Sequence, residues 1–279
     1  DPVGGGVQGQ AGEPGGDAVI ETSRVELGGV PGMFGASLTG KRERDEDFVA
    51  GGEFGNVRVA VLCDGMGGGQ SGEKASEIAA GGFVKGVGTI LRKHSGSWGQ
   101  ESSRHNAYSR VIEICHESVS SMAGGAGLSG TTLTALVVTY DSGSPALIDL
   151  VHIGDSRCYR VCEDEPSLIT EDHSVTGDMV RAGYIEIHEI EETSGKNTLT
   201  RNIGDEGGTT ADISSLDVRG GGCFLLCCDG VWGPLHTQSG LWVPKGLLCS
   251  QESADDMVGT AIERGSSDNC SVLIVDLSA

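Results

Sequence analysis

Aromatic residues are scarce in this 279-residue chain, at 4%, and basic residues are outnumbered, with 19 lysines and arginines against 40 aspartates and glutamates. The resulting formal charge of -21 opposes attraction to nucleic-acid backbones and anionic lipid, so neither a nucleic acid nor a membrane is expected as a partner. A small polyanion remains compatible with such a chain where bound cations reverse the local field. No apolar run approaches the roughly 18 to 20 residues that cross a bilayer, and no signal-peptide pattern opens the sequence. A reducing cytoplasm is therefore the expected location. There is no C-x-x-C pair and no Cys/His grouping with zinc-site spacing, which argues against structural zinc and dithiol redox chemistry. Of the nine cysteines, Cys63, Cys158, Cys223, Cys227, Cys228 and Cys270 fall in strand-like runs, where cysteine serves as a small buried hydrophobe. A G-x-S-x-G nucleophile elbow is also missing.

The length suits one large domain with a substantial core. Residues 1–30 read as a flexible glycine-rich extension carrying a weak edge-strand pattern over 18–27, and 31–279 as a single catalytic domain. Stretches 57–63, 132–140, 146–153, 223–228 and 271–276 have strand length and β-rich composition. Between the first two lie helical patterns: Ala75, Ile78, Ala79, Phe83, Val87, Ile90 and Leu91 share one face, and Tyr108, Val111, Ile112, Cys115, Val119 and Met122 another. Gly81, Gly82, Gly86 and Gly88 weaken the first by roughly 1 kcal/mol apiece relative to alanine, so packing must hold it. Asp141-Ser142-Gly143-Ser144-Pro145 joins two of the strands as a hairpin. A last helix is expected from Ser253, capped by its own hydroxyl with Asp256 as capping-box partner, to about Arg264. Helices grouped between blocks of strands favour an antiparallel α+β layered fold.

Cys63-Asp64-Gly65-Met66-Gly67-Gly68-Gly69 ends an apolar strand with a carboxylate and then a glycine turn that exposes backbone carbonyls. That combination suits a hard divalent cation. The pattern recurs at Cys228-Asp229-Gly230, again after an apolar run. Arg42-Glu43-Arg44-Asp45-Glu46-Asp47, Asp155-Ser156 and Asp268-Asn269 are each, taken alone, ordinary polar turns. Together, acidic turns adjoining strand candidates can gather carboxylates at one end of a sheet assembly. Such a cluster stays ionised only beside cations, and oxygen ligands without histidine or cysteine favour Mg²⁺ or Mn²⁺ over Zn²⁺.

Here the sequence resembles the metal-dependent Ser/Thr protein phosphatases of the 2C type, especially their bacterial branch. The matches run in order from about Phe34 to Leu277: Arg42-x-x-x-Glu46-Asp47, Val61-Leu62-Cys63-Asp64-Gly65-Met66-Gly67-Gly68, Gly130-Thr131-Thr132-Leu133-Thr134, His152-Ile153-Gly154-Asp155-Ser156-Arg157, Thr170-Glu171-Asp172-His173-Ser174, Leu199-Thr200-Arg201, Cys228-Asp229-Gly230-Val231-Trp232 and Ser267-Asp268-Asn269. The resemblance implies a four-layer αββα sandwich, two antiparallel sheets flanked by helices, with a two-metal site at one edge. It implies that Asp64 bridges two Mg²⁺ or Mn²⁺ ions, that Asp229 and Asp268 complete one of them, and that Glu46 and the Gly65 carbonyl serve the other. Asp47 would hold a metal-bound water, and Arg42 would grip the substrate phosphate with its planar fork. The implied reaction is hydrolysis of phosphoserine and phosphothreonine in proteins, substrates of a Ser/Thr kinase, by water activated between the metals and without a phosphoenzyme.

The chain departs from the family pattern in several places. Met66 stands where some members carry histidine, leaving metal-bound water or a histidine such as His173 to protonate the leaving group, while His152 reads as structural. Gly233 replaces an acid of the Asp-Gly-x-x-Asp pattern and 123–129 lacks aspartate, which leaves a third metal without its usual ligands. Asp45 replaces asparagine. Residues 174–197 correspond to the family's flap and are acidic at Glu186, Glu189, Glu191 and Glu192, a solvated loop or a selector of basic phosphopeptides. A catalytically silent phosphatase-fold binding module is the alternative reading. A dinucleotide site at Gly67-x-Gly69-x-x-Gly72 is disfavoured, because no acid lies between Glu77 and Glu101 to bind a ribose.

Overall fold

The computed structural model describes residues 20–21, 25, 27 and 29–278, leaving out 28, 68–69, 95, 97, 123–128, 163–164, 205–208, 220–221, 238–239 and 246–248. Two antiparallel sheets form the centre. One contains β1 (Ile20–Glu21), β3 (Asp47–Phe54), β4 (Val57–Met66), β6 (Leu133–Asp141), β7 (Ser144–Ile153) and β10 (Asp212–Leu216), with β5 (Gly130–Thr131) paired to β4. The other runs β2 (Met33–Leu38), β14 (Cys270–Asp276), β11 (Cys223–Cys227), β8 (Arg157–Cys162) and β9 (Glu165–Leu168). β12 (His236–Thr237) and β13 (Gly240–Leu241) make a small separate hairpin. Helices α1 (Gln70–His94) and α2 (Glu101–Met122) cover the first sheet, α5 (Gln251–Glu263) covers the second, and the short α3 (Val175–Arg181) and α4 (Asp229–Leu235) lie near the strand ends. This is the expected α+β four-layer sandwich.

The period of two along β4 explains the layers and aims the site. Val57, Val59, Val61 and Cys63 pack against α1 and α2, together with Phe83, Val87, Tyr108 and Ile112. Ala60 and Leu62 point the other way, into the layer shared with Leu225, Cys227, Val272 and Ile274 of the second sheet. Asp64 follows in phase with Leu62, so it emerges at the rim of the inter-sheet layer. The hairpin register sets Asp47 directly opposite it on β3.

The glycines of α1 have a packing cause. A Cβ on Gly86 would come within 2.6 Å of the Val111 side chain on α2. Close approach of two helices thus replaces what propensity loses.

Several expectations shift. The weak pattern over 18–27 corresponds to Ile20–Glu21, paired antiparallel with Gly52 and Gly51, and Leu27 and Val30 are buried in the core, while residues 1–19 lie outside the described residues. The last helix begins earlier than expected. Ser250 is its N-cap and accepts from the Ser253 amide at 3.1 Å, whereas Ser253 is buried inside the first turn. Ser250 stands three residues upstream with the same hydroxyl, and the apolar face makes the helix start there. β4 pairs antiparallel with both neighbours, which removes the parallel βαβ frame that a dinucleotide site requires.

Candidate metal centre

Five chain segments converge at one rim of the sandwich. A cavity of about 210 Å³ is lined by Arg42, Glu46, Asp64, Gly65, Met66, Thr132, Asp155, Asn197, Asp229, Asp268 and Asn269. The structure therefore brings together Arg42, Glu46, Asp64, Gly65, Asp229 and Asp268, as expected, and adds Asp155. Asp47 stands behind Asp64, 2% exposed. One donor atom each from Asp47, Asp64 and Cys228 lies within 4.8 Å of the others.

The scaffold consumes backbone groups and leaves carboxylates free. The Asp64 amide donates to Thr132 Oγ1 at 2.9 Å, and its carbonyl accepts from the Thr132 amide and from Thr131 Oγ1, both at 2.9 Å. Gly65 donates its amide to the Glu46 carbonyl at 3.1 Å. A Cβ there would fall 2.2 Å from the Gly72 carbonyl oxygen and 2.5 Å from that of Glu46, so no other residue fits without displacing backbone. Asn269, which sequence reading passed over as a turn residue, is the clasp of the acidic loop. Its Oδ1 accepts from the Glu46 amide at 2.8 Å, and its Nδ2 donates to the carbonyls of Thr39 at 2.9 Å and Arg44 at 2.8 Å. The only sequence signal was a side-chain amide directly after Asp268, where bare turn chemistry asks for no particular partner. Asp45 is likewise internal: it accepts from Ser37 Oγ at 2.7 Å and from the Asp47 amide at 3.1 Å. It shapes the loop rather than facing the phosphate.

Crowded carboxylates pay electrostatically. Burial first, then the charge of Asp45 and Asp229, pushes the Asp47 carboxyl up to about 8, against a lowering by its hydrogen bond with Ser271. Burial, followed by repulsion from Asp47 and Asp229, holds Asp64 well above the usual carboxylate range. Asp155 is raised well above it too, by burial and then Asp229. Asp229 rises to about 6, through burial, then Asp268 and Glu191. Arg42 Nη2 donates to Asp268 Oδ2 at 2.6 Å, the one cation against the lining acids.

This donor set fits divalent cations. One oxygen of Asp47, Oδ2, is buried without a hydrogen-bond partner, which is costly for a carboxylate unless an ion or ordered water answers it. The lining offers carboxylates and a glycine carbonyl, and among the described residues no histidine, a composition that suits Mg²⁺ or Mn²⁺ rather than zinc. His173 does not serve the cavity as a proton donor. Its Nδ1 accepts from the Gly154 amide at 3.2 Å and its Nε2 faces Asp212 Oδ2 at 3.0 Å. His152 is buried between Thr134 and the Glu171 carbonyl, and burial lowers it to about 4, so it is neutral and structural.

The flap contributes an unexpected carboxylate. A Cβ added at Gly233 would lie 2.9 Å from Glu191 Oε1, so Glu191 fills the space left by the acid missing at 233. Glu191 accepts from Lys196 Nζ at 2.6 Å, and both border a polar cleft of about 270 Å³ that shares Arg42, Asp229 and Asp268 with the metal cavity. The 123–128 stretch, where another missing acid was noted, lies outside the described residues.

No family profile matches the chain. It is 27% identical over 242 residues to the serine/threonine phosphatase Stp of Listeria innocua, covering 84% of this chain and 91% of the relative. Among solved structures it is similar to the PPM Ser-Thr phosphatase MsPP from Mycobacterium smegmatis in complex with cacodylate, with a TM-score of 0.69, 26% identity and coverage of 88% and 97%. A serine/threonine phosphatase from S. agalactiae shares the fold, with a TM-score of 0.73 at 24% identity over 88% of this chain and 98% of that one.

Proposed function

We propose, for a chain that belongs to the bacterial PP2C-type serine/threonine phosphatase family, the metal-dependent hydrolysis of phosphoserine and phosphothreonine in proteins. The catalytic unit in this reading is 31–279, preceded by 1–30, and the phosphoproteins are products of a Ser/Thr kinase, met in the cytoplasm. No helix among the described residues is long and apolar enough to cross a membrane. The observation that carries the reading is the convergence of Asp64, Asp229, Asp268 and Glu46 on one cavity beside an orphaned oxygen of Asp47.

Two Mg²⁺ or Mn²⁺ ions held there would supply Lewis acidity and a water acidic enough to attack phosphorus near neutral pH. Asp64 stands between the two candidate positions. Asp229 and Asp268 complete one side, Glu46 and the Gly65 carbonyl the other, and Asp47 orients a water from behind. Arg42 leaves Asp268 to grip the phosphate: its side chain is 55% exposed, so the guanidinium turns outward without disturbing the core. Release of inorganic phosphate from a phosphothreonine peptide tests this, with turnover expected in Mn²⁺ or Mg²⁺ and none in excess EDTA. A folded protein without turnover in any metal would favour the silent binding module.

Glu191 gives the substrate preference. Its carboxylate borders the cleft next to the phosphate position and is countered there only by Lys196 and Arg42, so a basic residue beside the phosphoresidue meets charge complementarity. In E191Q, kcat/KM for an arginine-flanked phosphopeptide is expected to fall about 3- to 10-fold, consistent with roughly 1 kcal/mol for a partly exposed pair. Hydrolysis of p-nitrophenyl phosphate should be unchanged, and an equal loss with both substrates would refute the assignment.

A further inference from the structure

At the other end of the second sheet, two thiols that the phosphatase reading does not use stand against each other. Cys223 is the first residue of β11 and is buried, while Cys249 is exposed. The two side chains are hydrogen-bonded, and that bond is the leading cause of opposite perturbations: it raises Cys223 and lowers Cys249. Burial instead pushes up Cys63, Cys158, Cys227 and Cys228, which is the behaviour of inert core thiols. Cys249 also directly precedes Ser250, the N-cap of the 13-residue helix α5, where the helix dipole favours a thiolate.

We propose that Cys249 and Cys223 form a peroxide-responsive thiol pair, a modification site that closes to a disulfide far from the metal centre. The Cys249 thiolate attacks one oxygen of hydrogen peroxide; the O–O bond breaks, hydroxide leaves and Cys249 becomes a sulfenic acid. Cys223 gives up its proton and its sulfur attacks the Cys249 sulfur; the S–O bond breaks and the departing oxygen leaves as water. Two thiols lose two electrons and one peroxide becomes two waters. The exposed thiol meets the oxidant and the buried one resolves it. β11 separates the pair from the acids: at about 3.3 Å per residue, Cys223 is about 13 Å from Cys227, with Asp229 beyond. The disulfide would tie the segment leading into α5 to the sheet without touching the cavity.

Peptide mapping of the full chain tests this. The protein is treated with hydrogen peroxide, alkylated under denaturing conditions and cut with trypsin without reductant. Lys245 lies between the two cysteines, so they fall in separate peptides. The expected result is a cross-link joining them that dithiothreitol removes, with phosphate release from a phosphothreonine peptide within about 2-fold of the untreated enzyme. In C223S, folded by circular dichroism, the cross-link should vanish and dimedone should trap Cys249 as a sulfenic acid. A cross-link that persists in C223S, a link from Cys249 to the Cys162 peptide, or dimedone-labelled Cys249 without any cross-link in wild type would each overturn the proposal. Because the cross-link is read by mass, its presence or absence is independent of whether the chain is an active phosphatase.

Discussion

Asp64→Asn lowers phosphate release at least about 1000-fold, the scale of losing a group that acts in the transition state, and at the same time stabilises the metal-free protein. The two effects share one cause. Asp64 lies opposite Asp47 in the β3–β4 register and beside Asp229 and Asp155, and each raises its carboxyl. Asparagine keeps the shape and removes the charge, so the neighbours ionise more easily while the site can no longer bridge two cations. Metal-free wild type should lose stability as pH rises. Asp47 titrates near 8 in the folded chain against 3.8 as the ordinary value, so the native state holds an extra proton in between. Its stabilising contribution is present at low pH and disappears as pH climbs through about 8. The slope for one such group is about 1.4 kcal/mol per pH unit, or about 2 kcal/mol between pH 6.5 and 8. His152, lowered to about 4, acts below that window and leaves it clean. Thermal unfolding in EDTA at the two pH values should therefore show a drop of about 5 °C in wild type. The drop shrinks in D64N and disappears with Mn²⁺ in excess. Retained activity in D64N, or a metal-free midpoint that does not rise on substitution, would break the account.

The acids were legible because each follows or precedes an apolar run, and a strand that ends in Asp-Gly fixes both the side chain's phase and the exposed carbonyl. Asp64 and Asp229 could be placed at strand ends from the sequence alone. Their convergence could not be read from local pattern, since it depends on two sheets stacking with one common rim, and there the ordered motif matches carried the expectation. What escaped had no local signature. Asn269 matters through three bonds to a loop more than 200 residues away. Glu191 looked like one acid among four on a solvated loop, and only tertiary placement sets it over Gly233. The strand β3 hid behind the charge run 41–47, because its first residue is the buried Asp47 rather than an apolar one. Ser250 lost to Ser253 as the expected cap because both hydroxyls precede the same apolar face. Cys223 and Cys249 lie 26 positions apart, without the spacing that announces a dithiol.

Arg157→Ala is expected to cost about 3 to 5 kcal/mol, the penalty for leaving a buried partner charge alone. Arg157 has no exposed side-chain surface and makes a two-pronged contact with Asp172, through Nε at 2.9 Å and Nη2 at 2.7 Å. Its guanidinium also lies 3.5 Å from the centre of the Trp232 ring, whose Nε1 donates to the Asp155 carbonyl at 2.9 Å. The contact therefore joins three parts of the site: the Asp155 turn just before β8, the segment entering the flap at 174, and α4, which begins with Asp229. Loss of the arginine strands Asp172 and removes the floor beneath Trp232. At roughly 2 to 4 °C per kcal/mol for a domain of this size, the unfolding midpoint should fall by about 10 °C or more. The kcat/KM for phosphopeptides should fall with it, even at temperatures where the variant stays folded. Substituting both partners, as in R157M with D172L, removes the stranded charge and should recover at least half of the stability but not the activity. That split separates the cost of an orphaned ion from the positioning of the site: equal recovery of both would make Arg157 a packing residue only, and a single-variant loss below about 1 kcal/mol would show that the pair holds nothing together.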